Sequence, residues 1–497
     1  MGPSSLTLRI AAAGSESDSK TAHTNVHQNL AIRPTEVDSP IMPISTINPT
    51  TGETLKTFEP YDEAEVERRL ALADSAFRSY RLTSFAERSR LVRAMADVFE
   101  REGASFAETL TLEMGKPIVQ ARAEVAKCVG VLRYYAEHGE SMLVDQPVAG
   151  TAAKNGSYLK YLPIGPVLAV MPWNFPLWQV IRFATPAFMA GNVALLKHAS
   201  NVPQAALGIE DAARRAGFPE GVFQTLLIGG DRVQAVLEDD RVAAATLTGS
   251  EGAGRSVASI AGNAIKKTVL ELGGADPFIV MPSADLDRAI EIGVWARIQN
   301  NGQSCIAAKR FIIHEAIADE YEERYAEAMS KLVVGDPLDE ATQVGPLATA
   351  QGRDEVNEQV QDALSRGAKA ICGGGTMEGP GWFVEPTALT GLTPNMRVYR
   401  EEVFGPVASF FRACDIDEAI ALANDTSFGL SSCAWTNDEA EKSRFAQDLE
   451  AGMTFINAMT ISYFDLPFGG VKRSGYGREL SAIGIREFTN IKTVFSD

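Results

Sequence analysis

Cys305 occupies the stretch of the sequence whose residue types most directly favour covalent chemistry. It follows the turn-forming run Asn300-Asn301-Gly302 and precedes small residues that are suited to the start of a helix. A thiol at a helix N-terminus lies near unpaired backbone N–H groups and the positive end of the helix dipole, and both favour the thiolate. A thiolate can attack a carbonyl carbon, and the same N–H groups can bind the oxyanion that forms. Taken alone, the stretch is equally compatible with a buried structural cysteine.

Two other polar side chains lie at the ends of predicted buried strands. Asn174 stands between Pro172 and Pro176, and its amide N–H could donate to a developing oxyanion. Glu271 precedes a pair of glycines, and a partly buried glutamate has a raised pKa that suits it to activate water near neutral pH. The alternatives are a turn residue for Asn174 and a structural carboxylate for Glu271.

A nucleotide site is indicated by a strand end and a glycine-rich turn. Lys197 ends a predicted strand, where a cation can reach a ribose or a phosphate, and Ser200 follows it closely. In nucleotide-binding folds an acidic residue near this place binds the ribose 2′-hydroxyl and repels a 2′-phosphate, whereas a serine leaves room for that phosphate. The run 248–254 then joins a strand to a helix, and its glycines allow a ligand close to the backbone. Each feature alone is weak evidence, since a solvated lysine or an ordinary glycine turn has the same pattern.

Three further segments contain residues that packing alone does not explain. Glu402 offers a carboxylate for a ribose, and Phe404 offers a ring against which a flat group could pack. Arg182 lies in an apolar helical stretch, where a buried cation needs an anion, either a protein carboxylate or a substrate. The run 467–480 is basic and rich in glycine, which is typical of a loop packed near something specific.

Charge and cysteine content exclude several classes of function. The formal net charge of −18 disfavours nucleic acid and anionic membranes as partners, because both repel an acidic surface. The 497 residues contain five cysteines without CxxC spacing, which predicts a reducing, cytoplasmic compartment and neither a disulfide framework nor a metal site. No apolar run is long enough to span a bilayer.

The order of apolar segments predicts an α/β fold. From Ile164 onward, short apolar strands alternate with helical stretches, which indicates a parallel doubly wound sheet with ligands at the carboxyl ends of its strands. A second α/β region follows Cys305. Asp62 and Glu65 form a capping box that begins a series of amphipathic packing helices, and 146–161 indicates a hairpin. The predicted strands are Val167–Met171, Val193–Lys197, Val222–Ile228, Val242–Thr246, Val269–Leu272, Phe311–His314, Ala370–Cys372 and Val407–Phe411.

The motifs PWNFP, LELGG, NNGQSC and EEVFGPV occur in this order, and together they resemble the aldehyde dehydrogenase superfamily. The resemblance extends from about Ile44 to Phe495. It implies a Rossmann-type cofactor domain, an α/β catalytic domain and a β-arm through which subunits form homodimers or homotetramers. The expected parts are a disordered tail (1–41), the nucleotide-binding domain (42–144 and 165–272), the catalytic domain (273–480) and the oligomerisation arm (145–164 and 481–497).

The resemblance also implies a role for individual residues. Cys305 is the nucleophile, Glu271 the general base, Asn174 an oxyanion donor and Glu479 a proton relay to the base. The residues expected to bind the cofactor are Trp173, Lys197, Ser200, Gly249, Ser250, Gly254, Glu402 and Phe404.

Within this family the chain is most similar to bacterial succinate-semialdehyde dehydrogenases. An arginine at the position of Arg182 and a serine at that of Ser462 bind the distal carboxylate of the substrate in that group, which suits bidentate arginine–carboxylate pairing. Ser200 replaces the glutamate of NAD-preferring members, so NADP⁺ is the expected cofactor and NAD⁺ a possible one. The sequence leaves open glutarate semialdehyde, an uncharged aliphatic or aromatic aldehyde, and a binding protein that has lost activity.

Overall fold

The computed structural model describes residues 44–149 and 156–495. The tail expected over residues 1–41 therefore lies outside the described residues. No described helix is both long and apolar enough to cross a membrane.

The chain begins with a short antiparallel hairpin and four packing helices. Asp62 caps the first helix, because its carboxylate accepts a hydrogen bond from the Glu65 N–H at 2.8 Å, as the sequence predicted. The carboxylate of Glu65 is instead engaged by Arg68 and Arg69. The elements are β1 (Ile44–Ile47), β2 (Thr54–Phe58), α1 (Glu63–Tyr80), α2 (Phe85–Arg101), α3 (Gly103–Met114) and α4 (Ile118–Met142).

A six-stranded sheet follows, and five of its strands run parallel in the order β9-β8-β5-β6-β7. The strands β5, β6, β7 and β8 are buried along almost their whole length, as expected of a parallel sheet with helices on both faces. The sequence placed these strands within a few residues of their observed bounds. The elements are β5 (Pro166–Met171), α5 (Trp178–Ala190), β6 (Val193–His198), α6 (Pro203–Arg215), β7 (Phe223–Thr225), α7 (Val233–Glu238), β8 (Ala244–Thr248), α8 (Glu251–Asn263) and β9 (Lys267–Glu271).

A seven-stranded sheet in the order β12-β13-β14-β11-β10-β15-β16 forms the second α/β unit, and only its β12–β13 pair is antiparallel. These two mixed sheets with their helices confirm the predicted α/β class. The elements are β10 (Pro277–Val280), α9 (Leu286–Ile298), β11 (Arg310–His314), α10 (Glu315–Ser330), α11 (Ala350–Ser365), β12 (Lys369–Cys372), β13 (Thr387–Thr390), α12 (Arg397–Arg400), β14 (Val407–Ala413), α13 (Ile416–Asn424), β15 (Ser431–Trp435), α14 (Glu439–Asp448) and β16 (Met453–Ile456).

The predicted hairpin is present as two strands, and the C-terminal strand extends it to three in the order β18-β4-β3. The helix α15 precedes that last strand. The elements are β3 (Gln146–Pro147), β4 (Tyr158–Pro163), α15 (Ser481–Glu487) and β18 (Thr489–Val494). The domain boundaries given above stay a prediction.

Two chain connections bring the candidate residues together. The carboxyl ends of the parallel strands β5, β8 and β9 lie at one edge of the six-stranded sheet, so the loops after Met171, Thr248 and Glu271 meet there. After the second sheet the chain returns to this edge as β17 (Gly475–Tyr476), which pairs with β9 and places Gly475 opposite Glu271.

Candidate active site

Cys305 lies in a turn between the short 3₁₀ helix Gln299–Gly302 and strand β11. The expectation that a helix begins just after Cys305 is wrong. Only residues 306–309 separate the cysteine from the strand, which leaves no room for a helix. A helix dipole therefore does not act on this thiol.

Burial raises the pKa of the Cys305 thiol to about 12, and the positive charges of Lys309 and Arg182 only partly oppose that rise. The Lys309 Nζ donates to the carbonyl oxygens of Ser304 and Cys305, at 2.8 and 2.9 Å. This raised pKa favours the thiol form of Cys305 over the thiolate that the sequence predicted. Attack on a carbonyl carbon requires a base that accepts its proton.

The loop before Cys305 is fixed by two buried asparagines in the left-handed conformation, with φ of 56° at Asn300 and 59° at Asn301. Asn300 Nδ2 donates to the carbonyl oxygen of Asn174 at 2.7 Å. Asn301 Nδ2 donates to the carbonyl oxygens of Gly115 and Pro346, each at 2.8 Å. Asparagine tolerates this conformation better than most residues, so the sequence run both turns the chain and attaches it to distant segments.

The side-chain amide of Asn174 is buried and held in one orientation. Its Oδ1 accepts from Gln179 Nε2, and its Nδ2 donates to the carbonyl oxygen of Gln303, both at 3.0 Å. An amide nitrogen carries two hydrogens, so a second one is available to a ligand. This arrangement suits an oxyanion donor.

Glu271 is the last residue of β9, and its buried carboxylate has no hydrogen-bond partner among the described residues. Burial, and then the charge of Glu479, raise its pKa well above the usual range of a glutamate, while Arg182 and Arg478 lower it. Burial also raises the pKa of Glu479, and the positive charge of Arg182 opposes that rise. Carboxyl groups with raised pKa values are those that exchange protons near neutral pH.

A cavity of about 700 Å³, the larger cavity, opens at this edge of the sheet. Its lining includes Cys305 and Asn174 together with five of the eight residues expected to bind a cofactor. Those five are Trp173, Gly249, Ser250, Glu402 and Phe404.

The walls of the larger cavity fit a dinucleotide. Ser250 caps α8, so the N-terminus of that helix faces the cavity, as a phosphate requires. Glu402 Oε1 accepts from the Gly274 N–H at 3.2 Å and pairs with Lys309 at 3.1 Å. A Cβ at Gly273 would lie 2.3 Å from Glu402 Oε2, so only glycine allows the carboxylate to pack there. The Phe404 ring meets Trp173 edge to face, with centroids 5.8 Å apart.

The other three expected cofactor residues do not line the larger cavity. Lys197 and Ser200 lie at the carboxyl end of β6, where burial lowers the pKa of Lys197 and Asp231 opposes that shift. Gly254 packs α8 against the chain after β9, since a Cβ there would lie 2.7 Å from Leu272 Cδ2. Their roles toward a cofactor stay predictions.

A second cavity of about 140 Å³, the smaller cavity, lies on the other side of the loop that contains Cys305. Cys305 lines this cavity as well as the larger one. Arg182 and Ser462, the two residues expected to bind substrate, are also in its lining. Its lining also includes Lys116, Glu124, Lys127, Trp178 and Phe468.

The guanidinium of Arg182 is already paired within the protein. It contacts Glu479 Oε2 at 2.5 Å, both side chains are buried, and it lies over the Phe468 ring at 4.4 Å. Glu479 is therefore the protein carboxylate that the sequence analysis gave as one of the two possible partners of Arg182. Because Arg182 also lines the smaller cavity, its role in carboxylate binding stays a prediction.

A second buried ion pair supports the segment that contains Asn174. Lys116 pairs with Glu124, and its Nζ also donates to the carbonyl oxygen of Asn174 at 3.0 Å. The Glu124 Oε1 accepts the backbone N–H groups of Leu177 and Trp178, each at 3.0 Å. Sequence reasoning missed both residues, because Glu124 lies on α4 and Lys116 in the connection before it, and the periodicity identifies this region only as packing helices.

Lys127 was also missed. It lies on α4, and its Nζ donates to Ser462 Oγ at 2.6 Å from a position 335 residues away in the chain. The only signal in the sequence was a lysine beside apolar neighbours on a helix. That signal does not identify the partner.

Residues 36–494 match the model of the aldehyde dehydrogenase family. The chain belongs to the aldehyde dehydrogenase family. This confirms the family that the motifs PWNFP, LELGG, NNGQSC and EEVFGPV indicated.

Close relatives in this family come from mycobacteria. The NADP⁺-type succinate-semialdehyde dehydrogenase of Mycobacterium avium (strain 104) is 60% identical over 456 residues, which cover 91% of this chain and 97% of the relative. An enzyme of the same kind from Mycobacterium tuberculosis (strain H37Rv) is 60% identical over 455 residues, covering 91% of this chain and 100% of the relative.

Solved structures of family members have the same fold. The succinic semialdehyde dehydrogenase of Streptococcus pyogenes in complex with NADP⁺ superposes with a TM-score of 0.89 at 36% identity, covering 91% of this chain and 99% of that one. The succinate-semialdehyde dehydrogenase of Burkholderia pseudomallei gives a TM-score of 0.88 at 36% identity, covering 91% and 94%.

Proposed function

We propose that this protein oxidises succinate semialdehyde to succinate with NADP⁺, and uses NAD⁺ less well. The observation that carries the proposal is the position of Cys305, which lines both cavities. A substrate attached to its sulfur from the smaller cavity faces a cofactor in the larger one. The activity named for the mycobacterial relatives supports this choice of substrate and cofactor.

The first step is addition of the Cys305 sulfur to the aldehyde carbon. Because burial keeps the thiol protonated, its proton must pass to a base, and Glu271 is the residue we assign to that role. The addition turns the aldehyde oxygen into an oxyanion, which the free N–H of Asn174 and the backbone N–H of Cys305 stabilise. The product of this step is a thiohemiacetal.

A nicotinamide dinucleotide bound in the larger cavity supplies the hydride acceptor that turns a thiohemiacetal into a thioester. Gly249 and Ser250, at the start of α8, are placed to hold its phosphates. Glu402 is placed to hold a ribose, and Phe404 to pack against a flat ring. Lys197 and Ser200 at the end of β6 are the residues we assign to a 2′-phosphate.

Hydrolysis of the thioester then releases the acid. Once Glu271 has passed the proton of Cys305 on to Glu479, it takes a proton from water, which attacks the thioester carbon. Cys305 leaves as the thiolate and regains a proton from Glu271. Glu479 and Arg182 form a buried chain next to Glu271. We assign Glu479 to passing the proton onward, because two interacting carboxyl groups can share it.

We further propose that the protein is a cytoplasmic homodimer or homotetramer whose subunits meet at the three-stranded sheet. The supporting observation is that this sheet exposes apolar side chains. Val148, Ile491 and Phe495 expose 42%, 54% and 63% of their surface. Light scattering after size-exclusion chromatography tests the state, and a monomer contradicts it.

The test of the proposed activity is a comparison of aldehydes with the purified protein. Reduced-cofactor absorbance gives kcat/KM for succinate semialdehyde, glutarate semialdehyde and butyraldehyde, each with NADP⁺ and with NAD⁺. We expect succinate semialdehyde with NADP⁺ to give the highest value. A larger kcat/KM for butyraldehyde contradicts the proposed substrate. A larger kcat/KM for glutarate semialdehyde shows that the preferred semialdehyde is one methylene longer. If no aldehyde is turned over, the protein is better described as a binding protein.

A further inference from the structure

The smaller cavity contains two buried cations and one half-buried cation, and the two buried ones have a counter-ion. Lys116 pairs with Glu124, and Arg182 pairs with Glu479. Lys127, in contrast, has no carboxylate within 4 Å among the residues that the structure describes. The charges around this cavity therefore sum to one unpaired positive charge.

The environment of Lys127 is that of an incomplete anion site. Its Nζ donates to Ser462 Oγ at 2.6 Å and lies 4.4 Å from the centroid of the Trp178 ring. An ammonium group has three N–H donors, so two remain for another acceptor. Burying an unpaired charge is costly, and an anion in the cavity removes that cost.

Ser462 is placed to act with the lysine. Its hydroxyl oxygen accepts the hydrogen bond from Lys127, which leaves the hydroxyl hydrogen free to be donated. An ammonium and a hydroxyl that lie 2.6 Å apart can donate to the two oxygens of one carboxylate. The pair thus forms a fork of donors in the lining of the cavity that contains Cys305.

We propose that Lys127, together with Ser462, binds the distal carboxylate of the substrate and thereby selects a semialdehyde acid over an uncharged aldehyde. This inference rests on the proposed function and names the residue responsible for its specificity. Arg182 is a poorer candidate because Glu479 already balances its charge. The geometry assigns Arg182 to the carboxyl chain behind Glu271 and Lys127 to the substrate.

The proposal predicts how selectivity depends on pH. Burial and then the charge of Arg182 on α5 lower the pKa of Lys127 to about 8, while Cys128 and Glu124 on α4 raise it. Below pH 8 the lysine of the free enzyme is charged, and above pH 8 it loses the charge that attracts a carboxylate. The ratio of kcat/KM for succinate semialdehyde to that for butyraldehyde must therefore fall as the pH rises through 8. The ratio removes effects of Cys305 and Glu271, which both aldehydes share.

The experiment compares Lys127→Met, Lys127→Arg and the wild type, with Lys331→Met as the matched control. Lys331 is an exposed lysine at the end of α10, outside the lining of both cavities. In Lys127→Met we expect kcat/KM for succinate semialdehyde to fall about 10- to 100-fold, as for the loss of a charge-assisted hydrogen bond. We expect butyraldehyde, and both aldehydes in the control, to change less than about twofold.

The variant Lys127→Arg distinguishes an effect of the positive charge from an effect on folding. Arginine stays charged throughout, so this variant retains selectivity, and its ratio stays flat between pH 7 and 9 where that of the wild type falls. Thermal melting shows whether Lys127→Met is folded; if it is not, the pH comparison of wild type and Lys127→Arg decides alone. Equal losses on both aldehydes, an unchanged ratio in folded Lys127→Met, or the same pH dependence in Lys127→Arg as in the wild type overturns the inference.

The same measurements distinguish this inference from the proposed function. A wild type that oxidises butyraldehyde as well as succinate semialdehyde contradicts the proposed substrate. A wild type that prefers succinate semialdehyde, with a preference that survives in Lys127→Met, contradicts only the role of Lys127.

Discussion

The two cavities that meet at Cys305 are built from different materials. The larger cavity is formed by strand ends and glycine turns, such as Gly249 and Gly273, together with side chains of α11 and of the segment 400–404. The smaller cavity is formed by side chains from α4, α5 and the loop after β16. These side chains carry two buried ion pairs and Lys127.

This difference separates two tasks. A cavity with glycine turns and a helix N-terminus in its walls suits a large ligand with phosphates. A cavity of buried, mutually paired charges suits the selection of a small charged ligand, because a wrong charge there is left unpaired. Substitution of Cys305, where the two cavities meet, should stop chemistry on any substrate. Substitutions elsewhere in the lining of one cavity should affect only the ligand of that cavity.

The largest effect is expected from Cys305→Ala, which removes the nucleophile shared by both cavities. We expect kcat to fall by at least about 10⁴-fold for every aldehyde, because no thiohemiacetal can form. Binding of NADP⁺, measured by calorimetry, should remain near that of the wild type because the walls of the larger cavity are unchanged. Turnover near the wild-type rate would contradict the assignment of Cys305 as the nucleophile.

Glu271→Gln is expected to have the next largest effect. A glutamine cannot take a proton from water, so hydrolysis should slow about 10²- to 10⁴-fold. If the variant still acylates, rapid mixing shows a burst of about one equivalent of reduced cofactor per subunit. Steady turnover at the wild-type rate would show that another group is the base.

Arg182→Met should reduce the activity toward both aldehydes by about tenfold at neutral pH. The charge of Arg182 lowers the pKa values of Glu271 and Glu479, so its removal raises both. The deprotonated base is then formed only at higher pH, and activity should recover as the pH is increased. Profiles of kcat against pH provide the check, and a loss confined to succinate semialdehyde instead supports Arg182 as a carboxylate ligand.

The smallest effect is expected at the carboxyl end of β6, outside the lining of the larger cavity. Ser200→Glu places a negative charge near Lys197 and should lower the preference for NADP⁺ over NAD⁺ by about tenfold through repulsion of a 2′-phosphate. The ratio of the two kcat/KM values measures it, and butyraldehyde serves as a second substrate. An unchanged ratio places the 2′-phosphate elsewhere.

The contrast between the cavities also explains what the sequence could predict. Asn174 and Glu271 lie in local motifs at the carboxyl ends of parallel strands of one sheet, so their approach follows from that sheet, whereas Cys305 lies in a third motif before β11 of the other sheet. Lys127 and Ser462 are 335 residues apart in the chain, and only tertiary packing brings them together. The state of Cys305 was predicted wrongly because burial outweighs every nearby positive charge.

The most direct test of the account is to trap the acyl group. Glu271→Gln is mixed with NADP⁺ and succinate semialdehyde, quenched in acid, digested and analysed by mass spectrometry. We expect one succinyl group on the peptide that contains Cys305 and none on the peptides that contain Cys128, Cys372, Cys414 or Cys433. Reduced cofactor formed without acylation of Cys305, or a succinyl group on another cysteine, would contradict it.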